Sequence, residues 1–314
     1  MLFPISGEAV DITKVYSVAG LLEENQALIT QRPFIAPHHS VTRAALVGGG
    51  SIPTPGMISL AHLGILFLDE LPEYASAEIE LLRQPLEDHT ITIHRVQGTY
   101  RFPARMLLIA AANPCPCGYF PDANRCRCTP CQIQNYQRKL SGPLLDRIDF
   151  CVGVHRVDAE MLQGEGRDET SAVIRARVTG AAQRQAHRFR GTDFLFNGDR
   201  NADAVERFCR LNSSVAKLMK ILYEEMHMSA RSYHKVLKMA RTIADLEDRD
   251  EILERDLMMA SGFRLPDGIV GNSRTESAGS SHRVSAAMLS GKHTAINSDD
   301  GGGAVRMHPR RGRN

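Results

Sequence analysis

Two adjacent carboxylates, Asp69 and Glu70, close the short run Gly64-Ile-Leu-Phe-Leu68. A continuous apolar run of this length predicts a strand buried on both faces, as in a parallel sheet. Carboxylates at the carboxyl end of such a strand lie where open α/β sheets bind ligands. In a nucleotide hydrolase the first orders a magnesium shell and the second polarises the attacking water. The same pattern also fits a strand that ends in two solvated acids. Met106–Ala112 predicts a second buried strand, ending at Asn113-Pro114. Asn113 there either orients water or phosphate beside the acid pair or forms the turn before Pro114. Arg147 stands in Leu140-Ser-Gly-Pro-Leu-Leu-Asp146-Arg147-Ile-Asp149, just before a third strand expected at Asp149–Val154. It is placed to reach a neighbouring subunit and stabilise transition-state charge. A local salt bridge to Asp146 or Asp149 is the competing reading, and spacing alone favours it.

Five of the seven cysteines fall in one stretch. Cys115-Pro-Cys117 and Cys126-Arg-Cys128 are two C-x-C pairs, and Cys131 follows three residues on. Four thiolates suit tetrahedral Zn2+, and Gly118, Pro121 and Asp122 suit a tight loop between the pairs. Cys128 and Cys131 also form a C-x-x-C, so the fourth ligand stays open among the five. Unliganded reduced thiols and redox chemistry are the other readings. Cys151 and Cys209 read as core residues. Seven cysteines without an export signal point to a reducing, cytoplasmic compartment. The neighbouring His38 and His39 read as loop histidines that anchor backbone. Arg177, Arg184 and Arg188, on one helix face, read as a solvated face.

The elements that must hold these groups follow from pattern and length. A chain of 314 residues, 43% hydrophobic and 24% charged, predicts about two globular domains. Its longest apolar runs are far short of the ~18 residues needed to span a bilayer. With no Trp and 6% aromatic residues, a binder that works by stacking bases is disfavoured. The net charge of +2 divides into +3 for residues 265–314 and −1 for the rest, so no globally basic surface argues for nucleic acid. Residues 1–160 alternate short β-type runs with helical patterns, an α/β signature. Within them, Ser76–Asp88 predicts a helix, and Thr90–Ile93 with Thr99–Phe102 predicts a hairpin around Gln97-Gly98. Residues 161–190 read as a connecting helix. Residues 191–264 read as a small helical bundle with stripes at Val215, Leu218, Met219, Leu222 and Met226 and at Tyr233, Val236, Leu237, Ala240 and Ile243. Asp248 with Glu251 is the expected cap of a last helix carrying Leu253, Leu257 and Ala260. Residues 265–314 lose periodicity and read as disordered.

The ordered set of motifs is specific. Phe34-Ile-Ala-Pro-His-His39, Gly48-Gly-Gly-Ser-Ile-Pro-Thr-Pro-Gly56, Ile58-Ser-Leu-Ala-His62, Gly64–Leu71, His94-Arg-Val-Gln-Gly-Thr-Tyr100, Ala111-Ala-Asn-Pro-Cys115 and Ser141-Gly-Pro-Leu-Leu-Asp-Arg147 occur in this order. Over residues 8–264 the chain resembles the magnesium-chelatase-like AAA+ ATPases of the YifB/ComM type. The resemblance implies an AAA+ parallel sheet followed by an all-helical lid, with ATP and Mg2+ as cofactors. It implies that Asp69 and Glu70 match the Walker B acids, with Asp69 toward Mg2+. Asn113 then matches sensor 1, Arg147 the arginine finger, and Arg231, in Ser229-Ala-Arg-Ser-Tyr-His-Lys235, the nucleotide-contacting sensor 2. Thr90–Phe102 matches the pre-sensor 1 hairpin, which projects toward a ring's central channel. Members of the ComM type are hexameric DNA helicases in branch migration. Carried over, Arg95 and Arg101 become candidate contacts to DNA phosphates, against a reading as ordinary hairpin charge. Self or complete homologous subunits are the implied ring partners, with DNA as substrate and no membrane.

One part of the family pattern is absent from these residues. A phosphate-binding loop, G-x-x-x-x-G-K-[ST], does not occur. The lone Gly291-Lys292 is followed by His293 and has Ala286 where the first Gly belongs. The expectation is therefore a sheet without its first strand and Walker A loop, with unpaired edges, exposed apolar faces and impaired ATP binding. The rival reading is a non-catalytic, zinc-bearing interaction protein derived from such an ATPase. Metal insertion into a porphyrin rests on the chelatase resemblance alone, and no residue here identifies a porphyrin site.

Overall fold

The computed structural model describes residues 6–154, 169–199 and 201–263. In chain order its strands are β1 (Phe34–Ile35), β2 (Gly48–Gly49), β3 (Thr54–Pro55), β4 (Ile65–Leu68), β5 (Thr90–Arg95), β6 (Gly98–Pro103) and β7 (Leu107–Ala110). β1, β4 and β7 form a parallel sheet with β4 in the middle, in register Ile35↔Leu66 and Leu66↔Leu108. Gly64 makes the β1–β4 approach possible. Ile65 N donates to Pro33 O at 2.8 Å, and a Cβ on Gly64 would fall 2.1 Å from the same oxygen. β2–β3 and β5–β6 are separate antiparallel pairs, the second being the expected hairpin.

Helices α1 (Ser6–Val18), α2 (Arg43–Val47), α3 (Met57–Leu60), α4 (Ser76–Glu80), α5 (Arg83–Asp88), α6 (Pro130–Gln137) and α7 (Gly142–Leu145) belong to the same part of the chain as this sheet. The helix expected over Ser76–Asp88 is two pieces. Pro85 has no N–H to give to Leu81 O, and its ring crowds that carbonyl, so the run breaks at Leu81-Leu82. Leu66 and Leu68 are fully buried with Leu46, Ile58, Ile79, Leu82, Ile91 and Leu144.

Burial on both faces does not hold. On the opposite face Phe34, Leu107 and Ile109 are 59%, 58% and 40% exposed. Among the described residues nothing pairs with the outer edge of β7. The strand expected at Asp149–Val154 does not form either. A strand exists only against a neighbour, and this segment has none among the described residues. Its backbone is tied elsewhere: Cys151 N donates to Phe263 O at 2.7 Å, and just before the segment Lys235 Nζ donates to Asp146 O and Ile148 O.

After residues 155–168, which lie outside the described set, come α8 (Ser171–Arg188), α9 (Ala202–Phe208), α10 (Ser213–Glu225), α11 (Ala230–Leu246) and α12 (Glu254–Gly262). Both predicted stripes enter one second core, where Val215, Met219, Val236, Leu237, Ala240 and Leu257 are buried, except that Met226, past the end of its helix, is 42% exposed. The cap of α12 differs from expectation. Asp256, rather than Asp248 or Glu251, accepts Leu253 N at 2.8 Å and is itself held by Arg249. The arginine face of α8 is solvated only in part: Arg177 pairs with Glu169 in the open, whereas Arg184, paired with Asp248 and Asp250, and Arg188, paired with Asp245, are largely covered. Asp245 is fully buried and also accepts from Asn197 Nδ2 at 2.8 Å and lies 3.2 Å from Arg241 Nη2. The expected tail, residues 265–314, lies outside the described residues, and no described helix is long and apolar enough to cross a membrane.

Neutralising Asp245 would strand two guanidinium groups in that interior. Asp245→Asn is expected to lower stability by about 3–5 kcal/mol, read by urea denaturation. An unchanged midpoint would mean the network contributes nothing.

Candidate functional site

The end of β4 is pinned to the end of β7. Ala111 N donates to Leu68 O at 2.9 Å, and Leu71 N donates to Ala111 O at 2.9 Å. The Asp69-Glu70 pair therefore turns away from the sheet beside the residue that leads into Asn113. Asp69 Oδ1 accepts Glu70 N at 2.9 Å, and Glu70 adopts φ 49°, a left-handed conformation uncommon outside glycine. Asp69, Glu70 and Asn113 are all exposed, and among the described residues neither carboxylate forms an ion pair. Three of the sequence-predicted groups thus follow adjacent, paired strand ends.

Arg147 and Arg231 form a second cluster. Arg147 Nη2 lies 2.6 Å from Glu87 Oε1, and Arg231 Nη2 lies 2.7 Å from the same oxygen. Arg147 Nη1 also donates to Pro143 O. Its local partner is thus Glu87 rather than Asp146 or Asp149. Hydrogen bonds from Arg147 and then Arg231 hold the Glu87 carboxyl below the usual glutamate range. Glu87 sits on α5 and Arg231 on α11, so this carboxylate ties the lid to the sheet layer. Sequence spacing carried no sign of it, because 60 residues separate Glu87 from Arg147 and 144 separate it from Arg231.

A third cluster is built from sulfur. Single ligand atoms of Cys115, Cys117, Cys126 and Cys128 all lie within 4.8 Å of one another. The Cys117 thiol is pushed down to about 6, by backbone N–H groups of Tyr119 and Arg127. Cys126 is pushed up to about 12: a backbone bond at Cys128 favours its thiolate, but burial and the neighbouring thiols outweigh it. Cys131 is not part of the group. It is exposed on α6 and accepts from Asn135 Nδ2 at 3.5 Å, its position set by the Thr129–Gln132 capping box. Helix α6 then reaches back to the acid pair. Lys139 Nζ donates to Pro72 O at 2.7 Å, and Gln137 Nε2 donates to Pro114 O at 3.0 Å. Burial and then Glu73 push Tyr136 up to about 12.

The chain matches the family described as "Magnesium chelatase, subunit ChlI" over residues 2–162 and its C-terminal counterpart over residues 168–264. The chain belongs to the magnesium chelatase ChlI family. Competence protein ComM of Haemophilus influenzae is 44% identical over 235 residues, 74% of this chain and 45% of the relative. The YifB protein of Salmonella typhimurium is 38% identical over 272 residues, 86% of this chain and 53% of the relative. YifB of Escherichia coli is 38% identical over 264 residues, 84% and 51%. The chain thus spans about half the length of the curated relatives it matches. The parallel sheet followed by a helical C-terminal region is the AAA+-like architecture expected of a ChlI-family member.

The hairpin of this family member carries Arg95 and Arg101, both exposed. Cross-strand pairing Arg95↔Gly98 and Thr92↔Arg101 puts them on opposite faces. Arg95 leans over the β2–β3 turn, its Nη2 lying 3.3 Å from where a Gly49 Cβ would be. Two apolar residues stand out at these tips, Ile52 at 79% and Val96 at 107% exposed. His38 Nδ1 shares a 2.8 Å hydrogen bond with Ser40 Oγ, a loop role as expected.

Because Glu87 is held below its ordinary pKa when folded, its ion pairs stabilise above the usual glutamate range. That contribution is lost as pH falls through the depressed value. Glu87→Gln is therefore expected to melt lower than the parent at pH 7, with the gap closing below about pH 4. A gap independent of pH would show that the paired carboxylate is not its source.

Proposed function

We propose that the chain supplies the hydrolytic strand ends and the helical lid of a Mg2+-dependent ATPase that works as a ring on DNA. The observation that carries this reading is the meeting of Asp69-Glu70 with Asn113 at paired parallel strand ends, the carboxylates exposed and outside any described ion pair. Such carboxylates fit a hard cation that takes oxygen ligands and keeps several waters. Asp69 is the residue to hold the Mg2+ shell. When bound, the ion neutralises charge developing on the transferred phosphoryl oxygens. Glu70 takes the proton of the attacking water, and Asn113 orients that water or the γ-phosphate.

Arg231 is assigned to the chain's own nucleotide, and Arg147 to a neighbour's, once Glu87 releases them. The ring partners are further copies of this chain or complete homologous subunits, six in the family. Arg95 and Arg101 are assigned to DNA phosphates, from opposite faces of the hairpin. The thiol cluster is assigned to structural Zn2+, apart from the chemistry, since sulfur would fill every position. With no Gly-rich loop ending in Lys-Ser/Thr among its 314 residues, the chain by itself has little grip on β- and γ-phosphates. That absence favours a second reading, a zinc-bearing interaction protein without catalysis.

Titrating fluorescent ATP with Mg2+ separates the two. Weak binding that Asp69→Asn abolishes is expected from the first reading, and no binding at all from the second. Ordinary turnover by the chain alone would contradict the weak phosphate grip. Mixed with H. influenzae ComM, the Arg147→Ala chain is expected to depress ATP turnover relative to the parent chain. Equal turnover in both mixtures would remove Arg147 from that role.

A further inference from the structure

The four clustered sulfurs have the geometry of a metal cage before any metal is considered. Sγ atoms of Cys115 and Cys117 are 3.4 Å apart, those of Cys115 and Cys126 3.8 Å, and those of Cys117 and Cys126 3.6 Å. Four thiolates placed tetrahedrally at a Zn–S distance of about 2.3 Å have sulfur–sulfur edges of about 3.8 Å. A disulfide would need about 2.05 Å, and all four cysteines are free. Cys115 Sγ also accepts the Phe120 backbone N–H at 3.4 Å. Donors of that kind stabilise metal-bound thiolate, as outer-shell partners do. The cage carries a net charge of −2 with Zn2+ bound, and Arg125 and Arg127 flank it in sequence.

The loop that carries the cage is also bound to the strand end. It starts directly after Asn113-Pro114, and Gly118 folds back until its Cβ position is 4.0 Å from the Asn113 amide. Its far end runs into α6, whose buried Gln137 holds Pro114 O and whose neighbour Lys139 holds Pro72 O.

We propose that Cys115, Cys117, Cys126 and Cys128 bind one Zn2+, that Cys131 stays outside, and that the ion braces the loop that positions Asn113. Binding forms four Zn–S bonds and releases the thiol protons to solvent, with no change of oxidation state. The ion is a positioning element and touches no substrate. The metal site stands without the ATPase reading, and only its bearing on Asn113 rests on that reading.

The full chain, purified without chelator, is assayed for metal by mass spectrometry as the parent, Cys126→Ser and Cys131→Ser. The expected result is about one zinc per chain in the parent and in Cys131→Ser, and at least a tenfold loss in Cys126→Ser. No zinc in the parent, iron in its place, or zinc lost from Cys131→Ser overturns the site. Should Cys126→Ser fail to fold, Co2+ exchanged into Cys131→Ser gives a second reading. An absorption spectrum of tetrahedral thiolate-bound cobalt supports the four-sulfur set, and an octahedral spectrum overturns it. Hydrogen exchange over residues 111–118 tests the brace: protection that falls when zinc is stripped supports it, and unchanged protection overturns it. Failure to bind ATP leaves all three readouts intact, so the two readings fail separately.

Discussion

The pairing of β4 with β7 is the constraint on which the rest depends. Two backbone hydrogen bonds at Ala111, one to Leu68 and one from Leu71, set where both strands stop. A carboxylate pair and a carboxamide therefore leave the sheet side by side. Parallel strands point their carboxyl ends the same way, so residues far apart in sequence gather on one edge without any direct bond between them. Gly64 contributes at the other end of β4, where only a residue without Cβ lets β1 come close enough to pair.

Other contacts keep this edge in place. Helix α6 fastens the turns that follow both strands, through Lys139 at Pro72 and Gln137 at Pro114. Glu87 gathers Arg147 and Arg231, so one carboxylate joins the region after α7 to the lid. Lys235 on the same lid helix grips the carbonyls of Asp146 and Ile148. Both arginines proposed for nucleotide contact are thus paired with the same carboxylate, Arg147 mostly buried and Arg231 half exposed.

The sequence was most legible where chemistry and periodicity coincide. The Gly64–Leu68 run, the hairpin, the two helical stripes and the C-x-C pairs all read directly, because each rests on neighbours within a few residues. Features that depend on distant partners did not. Asp149–Val154 reads as a strand, but a strand needs a neighbour and none is described beside it. Leu107 and Ile109 read as buried because burial was inferred from hydrophobicity alone, whereas the face they share with Phe34 is open. Glu87 is invisible as the partner of both arginines across such separations. One misreading was avoidable: Pro85 already forbids an unbroken helix. The choice among five cysteines needed the cap at Thr129, which carries Cys131 onto α6 and away from the others.

Asp69, Glu70 and Asn113 are proposed to face a metal-bound nucleotide together. Paramagnetic Mn2+-ATP, added at low ratio to the isotope-labelled chain, tests it most directly by broadening resonances near the ion, even where binding is weak. Selective loss of the Asn113 side-chain amide and the Glu70–Leu71 backbone signals, reversed by Asp69→Asn, is the predicted result. Broadening elsewhere, or broadening there that survives Asp69→Asn, would contradict it.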